Sequence, residues 1–306
     1  MRIARRQFLK SSALGLGGLA LGTPSPLRAQ TPAVAADGAK LSAFDTIQLG
    51  RTGIKTSRVS MGTGVRGGNR ESNHTRMGAA NAHPLIREIY ERGVRHFDLA
   101  DLYGTHPLIP GALEGVPRDS YALCSKIWWR PGGIPEKERP DADVVVERFL
   151  REVKSDYLDL VLLHCVEGAD WPKVLARQME ILANLKRRGL IRAHGVSCHS
   201  LPALEAAANE SWVDSVHARI NPFQIAMDGP PEKVASVLKQ LRARGKGVVG
   251  MKIIGEGRLR NDEEKKDQSI RYPWTEGLVD MVTVGFEKTS ELDDFQNRLR
   301  KVPKPA

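Results

Sequence analysis

The stretch HFDLADLYG, residues 96–104, ends an apolar strand on an aspartate and places a tyrosine five positions further along the chain. Side chains alternate between the two faces of a strand, so Val94, His96 and Asp98 share one face. Burying an unpaired carboxylate is costly, so Asp98 requires a positively charged partner nearby. This stretch therefore predicts a polar site at the end of a buried strand, with Tyr103 on the loop beyond it.

Strand and helix patterns alternate on both sides of this stretch. A hairpin over residues 45–57, turning at Thr52 and Gly53, is followed by eight strand–helix units. Such alternation is typical of a parallel sheet covered by helices. Eight units in about 245 residues fit a closed (β/α)8 TIM barrel better than a doubly wound sheet. No G-x-G-x-x-G motif follows the first strand, as a dinucleotide-binding doubly wound sheet would require.

Proline and glycine positions predict the helix boundaries. Pro84 and Gly93 indicate a helix over residues 83–93. A single long helix is predicted over residues 170–189, with Asp170 as its cap and Pro172 in its first turn. Residues 269–277 predict a weaker helix late in the chain.

Three long irregular segments follow predicted strands. They cover residues 64–82, 128–141 and 255–268, and the last contains a run of charges. Loops that follow barrel strands lie at the carboxyl-terminal face, where such barrels keep their functional residues. We therefore expect the loops over 64–82 and 128–141 to surround a site and to set its specificity. The charged run in 255–268 predicts a solvated loop, with closure over a ligand as the alternative.

Three consecutive strands carry an ionisable residue at their ends, on faces that can all point inward. These residues are Asp98, Lys126 on SYALCSKIW and His164 on LDLVLLH. Asp98 would keep Lys126 charged, and the ammonium would lower the pKa of the Tyr103 phenol. Such a tyrosine can protonate a carbonyl oxygen as a hydride reaches the carbonyl carbon, while His164 donates a hydrogen bond to that oxygen.

Each of these residues has an ordinary structural explanation when taken alone. An aspartate at a strand end commonly caps the next helix, a lysine can extend to solvent, and a histidine can be a satisfied core residue. A hydrolase or lyase using Lys126 as a Schiff base would need a lowered lysine pKa, whereas Asp98 raises it. The combination on successive strands favours the functional interpretation.

The chain has three cysteines, Cys124, Cys165 and Cys198, and no pair has metal-type spacing. His164 precedes Cys165, and His199 follows Cys198, but adjacent strand residues point to opposite faces. The sequence therefore predicts no metal site.

Five segments together resemble the aldo/keto reductase family, from about Phe44 to Val302. They are LGRTGIKTSRVSMGTG (49–64), GVRHFDLADLYG (93–104), SKIW (125–128), LDLVLLH (158–164) and GLIRAHGVS (189–197). Within the second segment, Leu99 stands where the family has threonine. The resemblance implies a catalytic tetrad, whose members are Asp98, Tyr103, Lys126 and His164.

The resemblance also implies a nicotinamide cofactor. Ser197 would hold the nicotinamide amide, together with Cys198 where the family often has asparagine and His217 where it often has glutamine. Gly62 and Thr63 would lie near the pyrophosphate.

Other implied contacts depart from the family pattern. Met251 or Lys252 would replace an aromatic residue that stacks on the nicotinamide. Lys288 and Thr289 are the nearest candidates for a 2′-phosphate site, although Glu287 would repel a phosphate. The resemblance thus favours NADP, with NAD as the alternative.

Trp128 would form a wall of the substrate pocket. In the alternative interpretation, Trp128 and Trp129 pack the long loop over the barrel mouth.

The amino-terminal residues predict a leader. Arg5 and Arg6, followed by Phe8-Leu9-Lys10 and a short apolar run, resemble a twin-arginine export signal over residues 1–35. The apolar run is too short to cross a bilayer, and cleavage could follow Ala29 or Ala35. An amphipathic amino-terminal anchor is the alternative. The barrel would then occupy residues 36–306.

The formal net charge of +10 owes five positive charges to this leader, leaving 41 basic against 36 acidic residues. No basic stripe with interleaved aromatic residues is present in the sequence, so we expect no nucleic-acid partner.

These observations predict an exported, NAD(P)H-dependent reductase of a small aldehyde or ketone, which uses the twin-arginine translocon and acts in the periplasm. A nicotinamide-binding redox-sensing module with little turnover is the alternative function. The sequence does not specify the carbonyl substrate or the oligomeric state.

Overall fold

The computed structural model describes residues 40–304. The chain first forms a two-stranded antiparallel hairpin from β1 (Thr46–Gln48) and β2 (Lys55–Ser57), with Ile47 opposite Thr56. Leu49 and Ile54, in the connection between them, are fully buried in the same apolar cluster as Ala122 and Leu160 of the barrel. The hairpin is therefore anchored to the barrel interior.

Eight parallel strands close into a barrel, as the sequence predicts. In chain order they are β3 (Val59–Gly62), β4 (His96–Asp98), β5 (Ala122–Ile127), β6 (Leu158–Val166), β7 (Ile191–Cys198), β8 (Ser215–Arg219), β9 (Gly247–Met251) and β10 (Met281–Val284). Each strand pairs with the next, and β10 pairs with β3 to close the ring.

Ten helices lie in the described part of the chain. They are α1 (Asn73–Arg76), α2 (Ala79–Glu91), α3 (Leu108–Ala112), α4 (Ala142–Val153), α5 (Trp171–Val174), α6 (Ala176–Arg187), α7 (Leu201–Asn209), α8 (Pro231–Ala243), α9 (Glu263–Thr275) and α10 (Thr289–Leu299). The outward strand residues and the inner faces of the helices form one large apolar cluster, which holds the helical layer against the barrel.

Three helix boundaries differ from the sequence prediction. Helix α2 begins at Ala79, so Pro84 lies inside it and removes one backbone donor. The long helix predicted over 170–189 is two helices, separated at Leu175, where ψ is 13°. Helix α9 begins at Glu263 within the predicted loop, because Asp262 accepts a hydrogen bond from the Lys265 amide and acidic residues follow in the first turn.

The predicted leader, residues 1–35, lies outside the described residues, and so do its cleavage sites. Within residues 40–304, every helix is too short or too polar to traverse a lipid bilayer.

Candidate active site

A buried ion pair joins β4 to β5 at the carboxyl end of the barrel. Lys126 Nζ donates a hydrogen bond to Asp98 Oδ1 and a second one, of 3.0 Å, to the carbonyl oxygen of Leu99. The two side chains are 2% and 4% exposed, respectively. Although burial opposes both charges, the Lys126 ammonium and the His217 hydrogen bond hold the pKa of Asp98 well below its usual value, and Asp98 raises the pKa of Lys126. The pair is therefore ionised at neutral pH.

Tyr103 lies with its ring next to this ion pair. It ends a 3₁₀ turn over Asp101–Tyr103, and its ring centroid is 5.1 Å from Lys126 Nζ. Its hydroxyl oxygen is 3.4 Å from His164 Nε2. A side chain on Gly64 would place its Cβ 2.4 Å from the phenol Cζ, so only glycine leaves room for the ring. Gly67 makes a similar close approach. The structure thus brings together the four residues of the predicted tetrad.

The ionisation of Tyr103 differs from the sequence expectation. Burial raises the pKa of the phenol above its usual range, and Lys126 opposes that rise without reversing it. The lysine therefore acts in the predicted direction, but the phenol is protonated at neutral pH. A protonated phenol is the form that a general acid requires.

His164 ends the inward face of β6. Burial lowers its pKa well below the usual value, so the ring is neutral, and its Nδ1 is buried without a partner among the described residues. Trp128 meets the His164 ring edge-on at a centroid distance of 5.5 Å, and Trp128 Nε1 donates to the Gly132 carbonyl. Trp129 Nε1 donates to the His164 carbonyl. Trp128 thus contacts a residue of the site and also forms a hydrogen bond within the loop over residues 128–141.

The side chain of His217, predicted to contact the nicotinamide amide, is bonded to Asp98 inside the barrel. Its Nε2 is 2.8 Å from Asp98 Oδ2, and its side chain is fully buried.

Asp98, Cys124 and His217 form the one group of three metal-type ligands found in residues 40–304. Asp98 already pairs with an ammonium and an imidazole there, which accounts for the cluster without a cation.

Ser197 and Cys198 end β7 and point in opposite directions. Ser197 is paired in register with His217 and accepts a hydrogen bond from the Cys165 amide at 2.9 Å. Cys198 is fully buried in the apolar cluster beneath the helices. The structure therefore brings Ser197, but not Cys198, to the site.

One contact that strand alternation does not predict joins Cys165 to His199. A register irregularity between Leu163 and Val166 places Cys165 at a φ of 60°. Cys165 Sγ consequently lies 3.3 Å from His199 Nε2, beside the catalytic-site candidate His164. The sequence analysis missed this contact because such an irregularity interrupts strand alternation.

The residues predicted near the pyrophosphate have different environments. Gly62 ends β3 beside Thr283, whose buried Oγ1 has no partner among the described residues. Thr63 is fully buried, and its hydroxyl contacts the Asp98 carbonyl and Thr105 Oγ1, both at 2.8 Å. Lys252, one of the two residues predicted to replace the aromatic residue that stacks on the nicotinamide, forms an ion pair with Glu256.

The start of α10 is rich in carboxylates. Glu287 accepts a 2.7 Å hydrogen bond from Asn73 Nδ2. The backbone amides of Glu287 and Lys288 donate to Glu291 at 2.7 and 3.3 Å. Lys288 is exposed, and Thr289 is the first helical residue. A phosphate at this position would have to compete with Glu291 for the two amides.

Sequence reasoning also missed a set of ion pairs between the loops. Arg70 donates to Asp101 at 2.9 Å and to Glu138, and so connects the two long loops over the Tyr103 turn. Arg148 of α4 pairs with the same Asp101 at 2.7 Å. Arginine and acid pairs this far apart in sequence leave no local pattern that could have revealed them.

A closed barrel with an ionised Asp–Lys pair, a neutral histidine and a protonated phenol at its carboxyl end has the groups that proton transfer requires. Residues 58–304 match the model of the aldo/keto reductase family. The chain belongs to this family.

Relatives with assigned activities are distant. Methylglyoxal reductase DkgB of Salmonella typhi is 25% identical over 180 residues, covering 58% of this chain and 63% of the relative. The chain thus matches less than two thirds of that reductase. D-arabinose 1-dehydrogenase of Saccharomyces cerevisiae is 26% identical over 230 residues, covering 70% of this chain and 67% of the relative.

The fold agrees with solved structures. An aldo-keto reductase from Bacillus halodurans, in its holo form, superposes with a TM-score of 0.66 at 20% identity. The match covers 86% of this chain and 93% of that one.

Proposed function

We propose that this protein reduces an aldehyde or ketone to an alcohol with a reduced nicotinamide cofactor, using Tyr103 as the general acid. The observation that carries the proposal is the convergence of Tyr103, Lys126 and His164 at one mouth of the barrel. Their distances are 5.1 Å from the lysine nitrogen to the phenol ring and 3.4 Å from the phenol oxygen to His164.

Each residue has a defined task in this reaction. When bound, the reduced nicotinamide supplies the hydride that the carbonyl carbon accepts. Tyr103 transfers its hydroxyl proton to the carbonyl oxygen, and Lys126 stabilises the phenolate left behind. Asp98 keeps Lys126 charged, and the neutral His164 orients the carbonyl oxygen. In alcohol oxidation Tyr103 takes the proton back.

Polar atoms at the mouth fit a nicotinamide amide. Ser197 Oγ accepts from the Cys165 amide, and its own proton has no acceptor among the described residues. Thr283 Oγ1 and His164 Nδ1 are buried there without partners in the same part of the chain. Since buried polar groups are normally hydrogen-bonded, these atoms favour a polar ligand at this mouth.

The cofactor preference follows from α10. The sequence favours NADP, with NAD as the alternative, and the carboxylates of Glu287 and Glu291 support the alternative. They lie in the segment that the family resemblance assigns to the 2′-phosphate, where they would repel that group. We therefore propose that NAD is bound at least as tightly as NADP.

The test is steady-state turnover of a carbonyl panel that includes methylglyoxal and an aldose, with NADH and NADPH. Tyr103→Phe should reduce turnover by about 100-fold or more, because it removes a general acid. Tyr90→Phe is the matched control, since its hydroxyl lies 3.0 Å from Ser120 in the helical layer. A Tyr103→Phe variant that turns over like the parent protein would refute the assigned role.

The second candidate function is a nicotinamide-binding redox-sensing module with little turnover. It is favoured by His217 and Cys198, whose side chains are used for Asp98 and for the helical core instead of for a cofactor amide. Tight cofactor binding by a parent protein that is inactive across the whole panel would support this alternative.

We also propose that residues 1–35 direct export by the twin-arginine route into the periplasm. That route carries folded proteins, so a cofactor acquired in the cytoplasm would have to remain bound. Replacing Arg5 and Arg6 by lysine should keep the protein in the cytoplasmic fraction. Protein purified from the periplasm should carry nicotinamide, detectable by its absorbance, and protein that carries none and binds neither cofactor would count against the proposal.

A further inference from the structure

Asp98 has a second buried hydrogen-bond donor in addition to Lys126. His217 Nε2 lies 2.8 Å from Asp98 Oδ2, while Lys126 contacts Oδ1. His217 comes from β8 and Asp98 from β4, and these strands are separated by three others in the barrel. The contact therefore crosses the barrel interior, and both oxygens of the carboxylate are held from different sides.

The chemistry of the contact defines the state of His217. An ionised carboxylate only accepts hydrogen bonds, so Nε2 carries the proton. Burial lowers the pKa of His217, so the ring is neutral. Its bare Nδ1 is buried without a partner among the described residues. The ionisable groups that face the ring are Asp98 and His96 of β4, Cys124 and Lys126 of β5, and His164 of β6.

We propose that His217 is a positioning residue for carbonyl reduction, fixing the Asp98 carboxylate so that Lys126 remains beside Tyr103. This inference rests on the proposed function. The hydrogen bond also withdraws negative charge from Asp98. Because Asp98 disfavours the Tyr103 phenolate and Lys126 favours it, loss of the His217 donor should make the phenolate harder to form.

The two reaction directions should respond unequally to that loss. Alcohol oxidation requires the phenolate, which is scarce at neutral pH, whereas reduction requires the phenol, which is abundant. His217→Leu should lower the oxidation kcat by about tenfold, which is within the worth of one hydrogen bond to a charged group. The reduction kcat should fall less. The pH profile of the oxidation rate in His217→Leu should shift to higher pH than in the parent protein.

His217→Gln should recover most of the oxidation rate, because its side-chain amide can donate a proton from a similar position. The matched control is His194→Gln. His194 is a buried histidine near Asp214 but stacks on Trp212 outside the barrel. The dissociation constant for NADH, measured by fluorescence, should stay within about twofold of the parent value in all three variants, since the His217 side chain is fully buried and its Nε2 bonds to Asp98.

A readout without cofactor completes the test. Nitrogen-15 NMR of histidine-labelled, cofactor-free protein should show His217 as a neutral ring protonated at Nε2. An Nδ1-protonated ring, or a charged one at neutral pH, would overturn the proposal. So would equal activity of the leucine and glutamine variants, a raised dissociation constant with unchanged kcat, or a stoichiometric metal ion in the purified protein. Failure of the parent protein to turn over any carbonyl would reject the proposed function, while the NMR result would still report on the contact.

Discussion

Removing Lys126 should reverse the pH dependence of stability that Asp98 contributes. In the parent protein Lys126 and His217 hold the pKa of Asp98 below its unfolded value, so this group stabilises the fold above an unfolded pKa of about 4. That contribution is lost as the pH falls towards the folded pKa. Lys126→Met fills similar space but leaves a buried carboxylate with only His217 as its side-chain donor. Burial would then raise the pKa of Asp98 above its unfolded value.

The expected size of the effect follows from the burial of the pair. With side chains 2% and 4% exposed, breaking the pair should cost about 3–5 kcal/mol of unfolding free energy near pH 7. A raised carboxyl pKa makes the folded state more stable at low pH, where the carboxyl is neutral. Lys126→Met should therefore be more stable at pH 5 than at pH 8.

The assay is urea denaturation at both pH values, followed by tryptophan fluorescence. Adding Asp98→Asn to Lys126→Met should recover part of the loss, because the buried charge is then absent. The matched control is Lys186→Met, which breaks the half-exposed pair with Asp214 and should cost at most about 1 kcal/mol. The reasoning is refuted if Lys126→Met matches the parent in stability, or if the double variant is the less stable of the two.

Two further predictions concern the loops and the cofactor. Gly64→Ala would place a Cβ 2.4 Å from the Tyr103 ring and should reduce kcat by more than about tenfold, whereas Gly68→Ala, with open space around it, should not; a fully active Gly64→Ala protein would mean that the ring is free to move. Glu287→Gln should lower the ratio of the NADPH to the NADH dissociation constant by about threefold or more. Glu276→Gln, directly after α9 and paired with Lys239, should leave that ratio unchanged. An unchanged ratio in Glu287→Gln would place the 2′ position elsewhere.

The tetrad was predictable because its signals are local. Alternation along β4, β5 and β6 shows which residues point inward, and parallel strands bring their carboxyl ends to one edge. Asp98, Lys126 and His164 therefore had to converge once eight strand–helix units were counted. Tyr103 follows within five residues, and a short connection cannot carry it far.

Local patterns were weaker where a helix boundary depends on a cap. The charged run before Ser269 predicts a solvated loop. In the structure, Asp262 caps a helix there, and the run from Glu263 onward forms the first turns of α9. Leu175, conversely, interrupts a stretch whose periodicity is typical of one helix. In both cases a single residue's backbone and hydrogen bonds outweigh the pattern of its neighbours.

The amino-acid order alone predicted the barrel, the inward face of three of its strands and the four residues at its mouth, since strand and helix periods are properties of neighbouring residues. It could not show that His217 bonds Asp98, 119 positions away in sequence, that Cys165 meets His199, or that Arg70 joins two loops. Those contacts arise when the closed ring brings distant strands and loops together, and their distances depend on packing in three dimensions.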